Sequence, residues 1–187
     1  MNIKNLISKY KPYNDQEEKD KETILKWIDS FDDVLTRNNE FAHFTSSAFI
    51  VNKERTKALM IYHNIYDSWA WTGGHVDGES NFLSVAIKEA KEETGIKKIT
   101  PLTKEIELLD IHAISGHIKK GKWVSPHLHL SVAYLCEAND REIVGIKEDE
   151  NSAVKWISLD EVVASSKELQ LRAIYQKAID KIRENHS

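Results

Sequence analysis

The stretch Gly73-Gly74-His75-Val76-Asp77-Gly78-Glu79-Ser80-Asn81-Phe82-Leu83-Ser84-Val85-Ala86-Ile87-Lys88-Glu89-Ala90-Lys91-Glu92-Glu93-Thr94-Gly95-Ile96 decides how the rest of the chain reads. A glycine-rich turn runs into a helical pattern. Glu89, Glu92 and Glu93 fall at i, i+3 and i+4, so they share one helical face. Like charges at that spacing destabilise an isolated helix. A bound cation offsets the repulsion, and hard divalent ions such as Mg²⁺ prefer carboxylate and carbonyl oxygens. Leu83, Ala86, Ile87 and Ala90 supply the expected core-facing stripe. Ser80 or Asp77 is the expected N-cap, and Gly95 the expected left-handed cap at the other end.

The same residues resemble the Nudix box, G-x5-E-x7-R-E-U-x-E-E-x-G-U, where U is a bulky aliphatic residue. With Gly74 as the first glycine, Glu89, Glu92, Glu93, Gly95 and Ile96 match. Lys88 stands at the arginine position, and the first glutamate position falls on Ser80, with Glu79 one residue early. The resemblance implies an α/β/α sandwich with a mixed sheet. It also implies hydrolysis of a nucleoside diphosphate linked to another group. Mg²⁺, or Mn²⁺ in its place, would be held by Glu89, Glu92 and Glu93 with the Gly73 carbonyl. The candidate catalytic carboxylates are Glu92 and Glu150. The family often takes a further carboxylate from a loop before a tryptophan-bearing strand, and Glu150 precedes Trp156, with Glu148 and Asp149 beside it. Lys88 keeps the charge of the family arginine and loses its bidentate fork.

With 41% hydrophobic residues in 187, a single domain with a real core is expected. A net charge of −4 gives no basic field for bulk nucleic-acid binding. The lone Cys136 excludes an internal disulfide and fits a reducing compartment. Its apolar surroundings read as core. Neither a signal-peptide pattern nor a long apolar run is visible, so a cytoplasmic protein without a membrane span is expected.

Residues 1–40 read as a helical N-terminal extension, and residues 41–187 as the main domain with its C-terminal helix. From Asp15 to Arg37, Ile24, Leu25, Trp27, Ile28, Phe31, Val34 and Leu35 recur at helical spacing. Such a helix packs on the core, or serves as a homodimer contact or lid. Strand patterns follow at 43–51 and 57–62, before the glycines at 68–72, and again at 106–114, 127–135 and 153–157. Ser158 and Glu161 have capping-box spacing at the start of a helix, and a last helix covers about 167–183.

His127, His129 and Ser131 share one strand face. With His75, Lys88 and Trp69, these histidines are the candidate substrate-binding residues. Trp71 and Trp123 are further candidates for stacking a base. Lys119, Lys120 and Lys122 make a solvated tip or meet a phosphate. The three histidines could instead bind Zn²⁺, but no paired-cysteine or H-E-x-x-H pattern accompanies them, and a wall of the substrate cleft is the favoured reading. Two other functions suit the same fold. One is a non-catalytic nucleotide-binding module, kept open by Lys88 and Ser80. The other is an enzyme resembling isopentenyl-diphosphate isomerase, which needs a cysteine beside the metal. Cys136 is not in an obvious place for that.

Overall fold

Period-two alternation along two long strands builds the molecule. The structure is a computed structural model and describes residues 2–119 and 121–185. Lys120 lies outside the described residues. Strands β1 (Ala42–Val51) and β9 (His127–Ala138) run parallel at the centre. On β1, Phe44, Ala48 and Ile50 enter one apolar cluster while Phe49 and Val51 enter another. On β9, Leu130, Val132, Tyr134 and Cys136 join the first, and Ala133 and Leu135 the second. A sheet apolar on both faces must be covered on both.

The remaining sheet strands are β2 (Lys57–His63), β3 (Ser68–Ala70), β4 (Thr72–His75), β5 (Ile99–Pro101), β6 (Leu108–Ile114) and β10 (Asn151–Ser158). The central path is β10-β2-β1-β9-β5, with β3 on β2, β4 on β1 and β6 on β9. All pairings except β1 with β9 are antiparallel, so the sheet is mixed. Helices α1 (Ile3–Lys9), α2 (Asp15–Ser30) and α3 (Phe82–Thr94) supply the first cluster; α4 (Leu159–Ser165) and α5 (Leu169–Asn185) supply the second. This is the expected α/β/α sandwich. Lys119 and Lys122, read as part of a solvated tip or a phosphate contact, belong to a small hairpin, β7 (His117–Lys119) against β8 (Lys122–Val124). No helix among the described residues is long and apolar enough to cross a membrane.

Four local expectations need correction. The helix read as reaching Arg37 ends at Ser30, where Phe31 takes an extended backbone. The chain then turns so that Val34 is buried and its carbonyl accepts from Phe44 N–H. The N-cap of α3 is Asn81, whose side chain accepts from Ser84 N–H; neither Ser80 nor Asp77 does this. Asp77 instead pairs with Arg37 through two hydrogen bonds. The buried stripe of α3 is also rotated: Phe82, Val85, Ala86, Ala90 and Glu93 are buried, while Leu83 and Ile87 are half-buried. Gly95 does take the left-handed cap, at φ 72°. Ser158 is the N-cap of α4 but makes no side-chain capping bond.

The N-terminal helices cover the free edge of β6. Asp20 accepts from Ile111 N–H and Glu17 from Leu109 N–H. A sheet edge left bare would expose unpaired backbone groups. Glu17 is fully buried and its cation nearly so: Lys177 Nζ of α5 lies 2.6 Å from Glu17 and 2.7 Å from Asp110. Tyr10 donates its hydroxyl to the other Glu17 oxygen.

Cys136 is fully buried on β9, and burial pushes its thiol up to about 12. Only the thiolate attacks an electrophile. The folded protein is therefore expected to resist a thiol reagent such as DTNB until denaturant is added; rapid native labelling would contradict this burial. This position removes the cysteine that the isomerase-like reading needs.

Candidate active site

The glycine turn is built against β1. Strand β4 pairs with it so that Gly73 faces Ser47, Gly74 faces Ser46 and His75 faces Thr45. A Cβ on Gly73 would meet the Ser46 carbonyl at 2.8 Å and the Ser47 hydroxyl closer still; one on Gly74 would meet the Glu89 carboxyl at 2.9 Å. Gly73 has no room for a side chain, while one at Gly74 would have to push the Glu89 carboxyl aside. The Gly73 N–H donates to Glu93 Oε2 at 3.0 Å, tying the turn to the helix. Gly73→Ala is expected to break that register, lowering the melting temperature and cutting turnover at least about tenfold, in line with the cost of small displacements at a reacting centre. Wild-type kinetics in this variant would contradict the close approach.

Rotation of the α3 stripe places the three glutamates in three different environments. Glu93 is buried, Glu89 half-buried and Glu92 exposed. Burial pushes the Glu93 carboxyl up to about 8, and it raises Glu89 as well. Among the described residues Glu93 has no ion-pair partner; its carboxylate meets only the Gly73 N–H. The outer acids are braced by two lysines. Lys88 lies 3.5 Å from Glu89 and 3.6 Å from Glu92. Lys147, which the sequence did not single out, lies 3.5 Å from Glu92 and 3.0 Å from Glu150. Asn151 was missed too. Buried at the start of β10, it donates from Nδ2 to the Glu93 carbonyl and accepts the Lys147 N–H, so it holds the Glu150 loop against α3.

All of these acids border one cleft of about 820 Å³, within the range of small-ligand sites. Gly73, Glu89, Glu92, Glu93 and Glu150 line it, as do His75, His127 and His129. Lys88 and Trp69 are not among the lining residues. Lys88 is on the exposed side of α3, paired with its own carboxylates. Trp69 packs edge-on to Tyr62, its register partner on β2, at 5.3 Å, while Trp71 lines the cleft. Trp123 and Lys119 reach the cleft from the β7–β8 hairpin. Besides His63, His112 and His117, the lining includes His43 on β1, a histidine that sequence reasoning passed over. Its signal was alternation: His43, Thr45 and Ser47 share a strand face just as His127, His129 and Ser131 do.

Residues 42–181 match the model of the NUDIX domain. The chain belongs to the Nudix family. Curated relatives include the asymmetrical bis(5'-nucleosyl)-tetraphosphatases of Rattus norvegicus and Mus musculus, each 27% identical over 110 residues, 58% of this chain and 68% of theirs. Among solved structures, a C. elegans Ap4A hydrolase binary complex superposes with TM-score 0.53 at 20% identity, covering 75% of this chain and 97% of that one. An E. coli dihydroneopterin triphosphate pyrophosphohydrolase gives TM-score 0.57 at 16% identity, covering 74% and 95%. These two show the shared fold.

The donor set at the Nudix box fits a hard divalent ion. It is made of carboxylate oxygens, one of them on a buried acid with no cationic side chain paired to it, beside the backbone of a glycine strand.

Proposed function

We propose that this Nudix pyrophosphohydrolase is dependent on Mg²⁺, with Mn²⁺ as a substitute, and cleaves the phosphoanhydride of a nucleoside diphosphate linked to another group. Dinucleoside polyphosphates are the favoured class, because the curated relatives are named as tetraphosphatases of that kind. The observation that carries the reading is the buried, unpaired Glu93 carboxyl held by Gly73 N–H at the floor of the cleft.

Glu89, Glu92, Glu93 and the Gly73 carbonyl would hold the ion. When bound, it neutralises phosphate charge and acidifies water. The protein's own residues do the rest. Asn151 and Lys147 fix the Glu150 loop next to the acids. Glu150 is the general base, with Glu92 beside it across Lys147. A water oxygen attacks phosphorus in line, its proton passes to the carboxylate, and the P–O bond to the leaving phosphate breaks with its electrons. The Lys119 ammonium faces the anionic chain, and Trp123, largely exposed on the hairpin, offers a stacking surface for a base.

The test is a substrate panel. Protein with Mg²⁺ is incubated with dinucleoside polyphosphates, nucleoside triphosphates, nucleotide sugars and capped RNA, and products are resolved by chromatography. Diadenosine tetraphosphate is expected to give ATP and AMP. Inertness across the panel would overturn the enzymatic reading and favour the nucleotide-binding module.

A further inference from the structure

Four of the histidines that line the cleft are not needed for the acidic site, and they converge. Their ligand nitrogens, one from each of His43, His75, His127 and His129, all lie within 4.8 Å of one another. We propose that they form a second metal centre, selective for a divalent ion of the zinc class. It goes beyond the hydrolase reading and does not depend on it.

Backbone pairing makes the arrangement rigid. His43 and His129 are direct register partners on β1 and β9. His75 is opposite Thr45 on β4, and His127 precedes His129 by two residues on the same face. Four ligands thus come from three paired strands, not from mobile loops.

The ring nitrogens are already oriented. His43 Nδ1 lies 2.8 Å from the Asn39 carbonyl, and His127 Nδ1 lies 2.8 Å from the Ser125 carbonyl. A carbonyl only accepts, so each Nδ1 carries the proton and each Nε2 presents its lone pair. A backbone carbonyl on the non-ligating nitrogen is how metal-binding histidines are usually held. Asn39 is itself fixed, because its side chain accepts from Phe41 and Ala42 N–H at the start of β1. His43 Nε2 is buried with no hydrogen-bond partner. His127 Nε2 and His129 Nε2 stand 3.1 Å apart. Two imidazole nitrogens on one tetrahedral zinc sit about 3.4 Å apart, given bonds of about 2.0–2.1 Å. Closing the whole set takes movements of about 1 Å at the most distant nitrogens.

The donor chemistry differs from that of the Nudix box. Imidazole suits zinc-class ions, and carboxylate with carbonyl suits Mg²⁺. A ligating imidazole is neutral, with the lone pair of one ring nitrogen free for the metal. Strand β4 links the two centres. Gly73 touches Glu93, and His75 lies two residues on, about 7 Å along the strand. Four protein ligands fill a tetrahedron. Such an ion would fasten β1, β4 and β9 together at the cleft end and hold the glycine strand in place.

The experiment uses the full chain, stripped with chelator and reloaded with Zn²⁺ or Co²⁺ in excess Mg²⁺. Metal content is counted after gel filtration, and the Co²⁺ form is read by its visible spectrum. The wild type is expected to retain one equivalent of Zn²⁺ and to show the intense band of tetrahedral Co²⁺. His43→Gln with His129→Gln should weaken retention by at least about 100-fold, while Glu89→Gln with Glu93→Gln should keep it. His75→Asn, at a half-buried position, tests the same ligand set with less risk to folding, and is expected to weaken retention with an unchanged circular dichroism spectrum. No retention by wild type, a weak octahedral Co²⁺ band, or wild-type affinity in His75→Asn would overturn the second centre and leave the histidines as a polar wall.

Discussion

Glu93→Gln is expected to lower kcat by about 10³-fold or more on any phosphoanhydride that the wild type cleaves. Glutamine keeps the volume of the side chain and can still accept the Gly73 N–H, so the turn and helix stay joined. On the proposed function, what is lost is a charged oxygen at the metal. Metal ions supply several kcal/mol of charge stabilisation in such reactions, and each 1.36 kcal/mol is about a factor of ten in rate. Stability should move the other way. Burial already disfavours the ionised Glu93 carboxyl, so metal-free Glu93→Gln should melt no lower than the metal-free wild type. An activity loss from unfolding would show the opposite, and the two are separated by measuring melting and steady-state kinetics on the same sample. Such a divergence is the usual mark of a functional group kept at a cost to the fold.

Lys177→Met is expected to be the most destabilising single change outside the cleft. It leaves Glu17 and Asp110, both buried, without their shared cation. Removing one partner of a buried ion pair costs about 3–5 kcal/mol, which for a chain of this size lowers the melting temperature by roughly 10 °C. Lys19→Ala removes an exposed pair with Glu22 and should leave the melt in place. Equal melts for the two variants would show that α2 is not clamped to α5 and β6 through this network. The network also explains why the N-terminal helices are part of the core cluster and not a loose addition: Ile7 and Ile24 are buried in it.

What was readable in the sequence was whatever depends on local spacing. The glycine turn, the acidic helix and its Gly95 cap follow from residues within one segment. The shared face of His127, His129 and Ser131 follows from strand alternation, and all three line the cleft. What was not readable depends on contacts between distant segments. Glu93 is at the edge of the helical acidic face, and only the seating of α3 on β1 and β4 decides that it is buried while Glu92 is exposed. Lys147 and Asn151 look like ordinary loop residues until β10 docks beside α3. His43 is far from the other histidines in the chain and becomes their neighbour only through the parallel pairing of β1 with β9. The Glu17–Lys177 pair joins opposite ends of the chain, where no local pattern could signal it. Trp69 and Trp71 alternate in sequence, yet only Trp71 lines the cleft, because Trp69 packs on its cross-strand partner Tyr62.

The arrangement of acids around Gly73 is tested most directly by the Mg²⁺ dependence of hydrolysis. Cleavage of diadenosine tetraphosphate, or of the best substrate from the panel, is measured against Mg²⁺ concentration for the wild type and for Glu89→Gln. The expected curve saturates for the wild type, falls to background in EDTA, and shifts to at least about tenfold higher Mg²⁺ in the variant. Undiminished cleavage in EDTA, or superimposable curves for the two proteins, would contradict a metal-dependent site built on these glutamates.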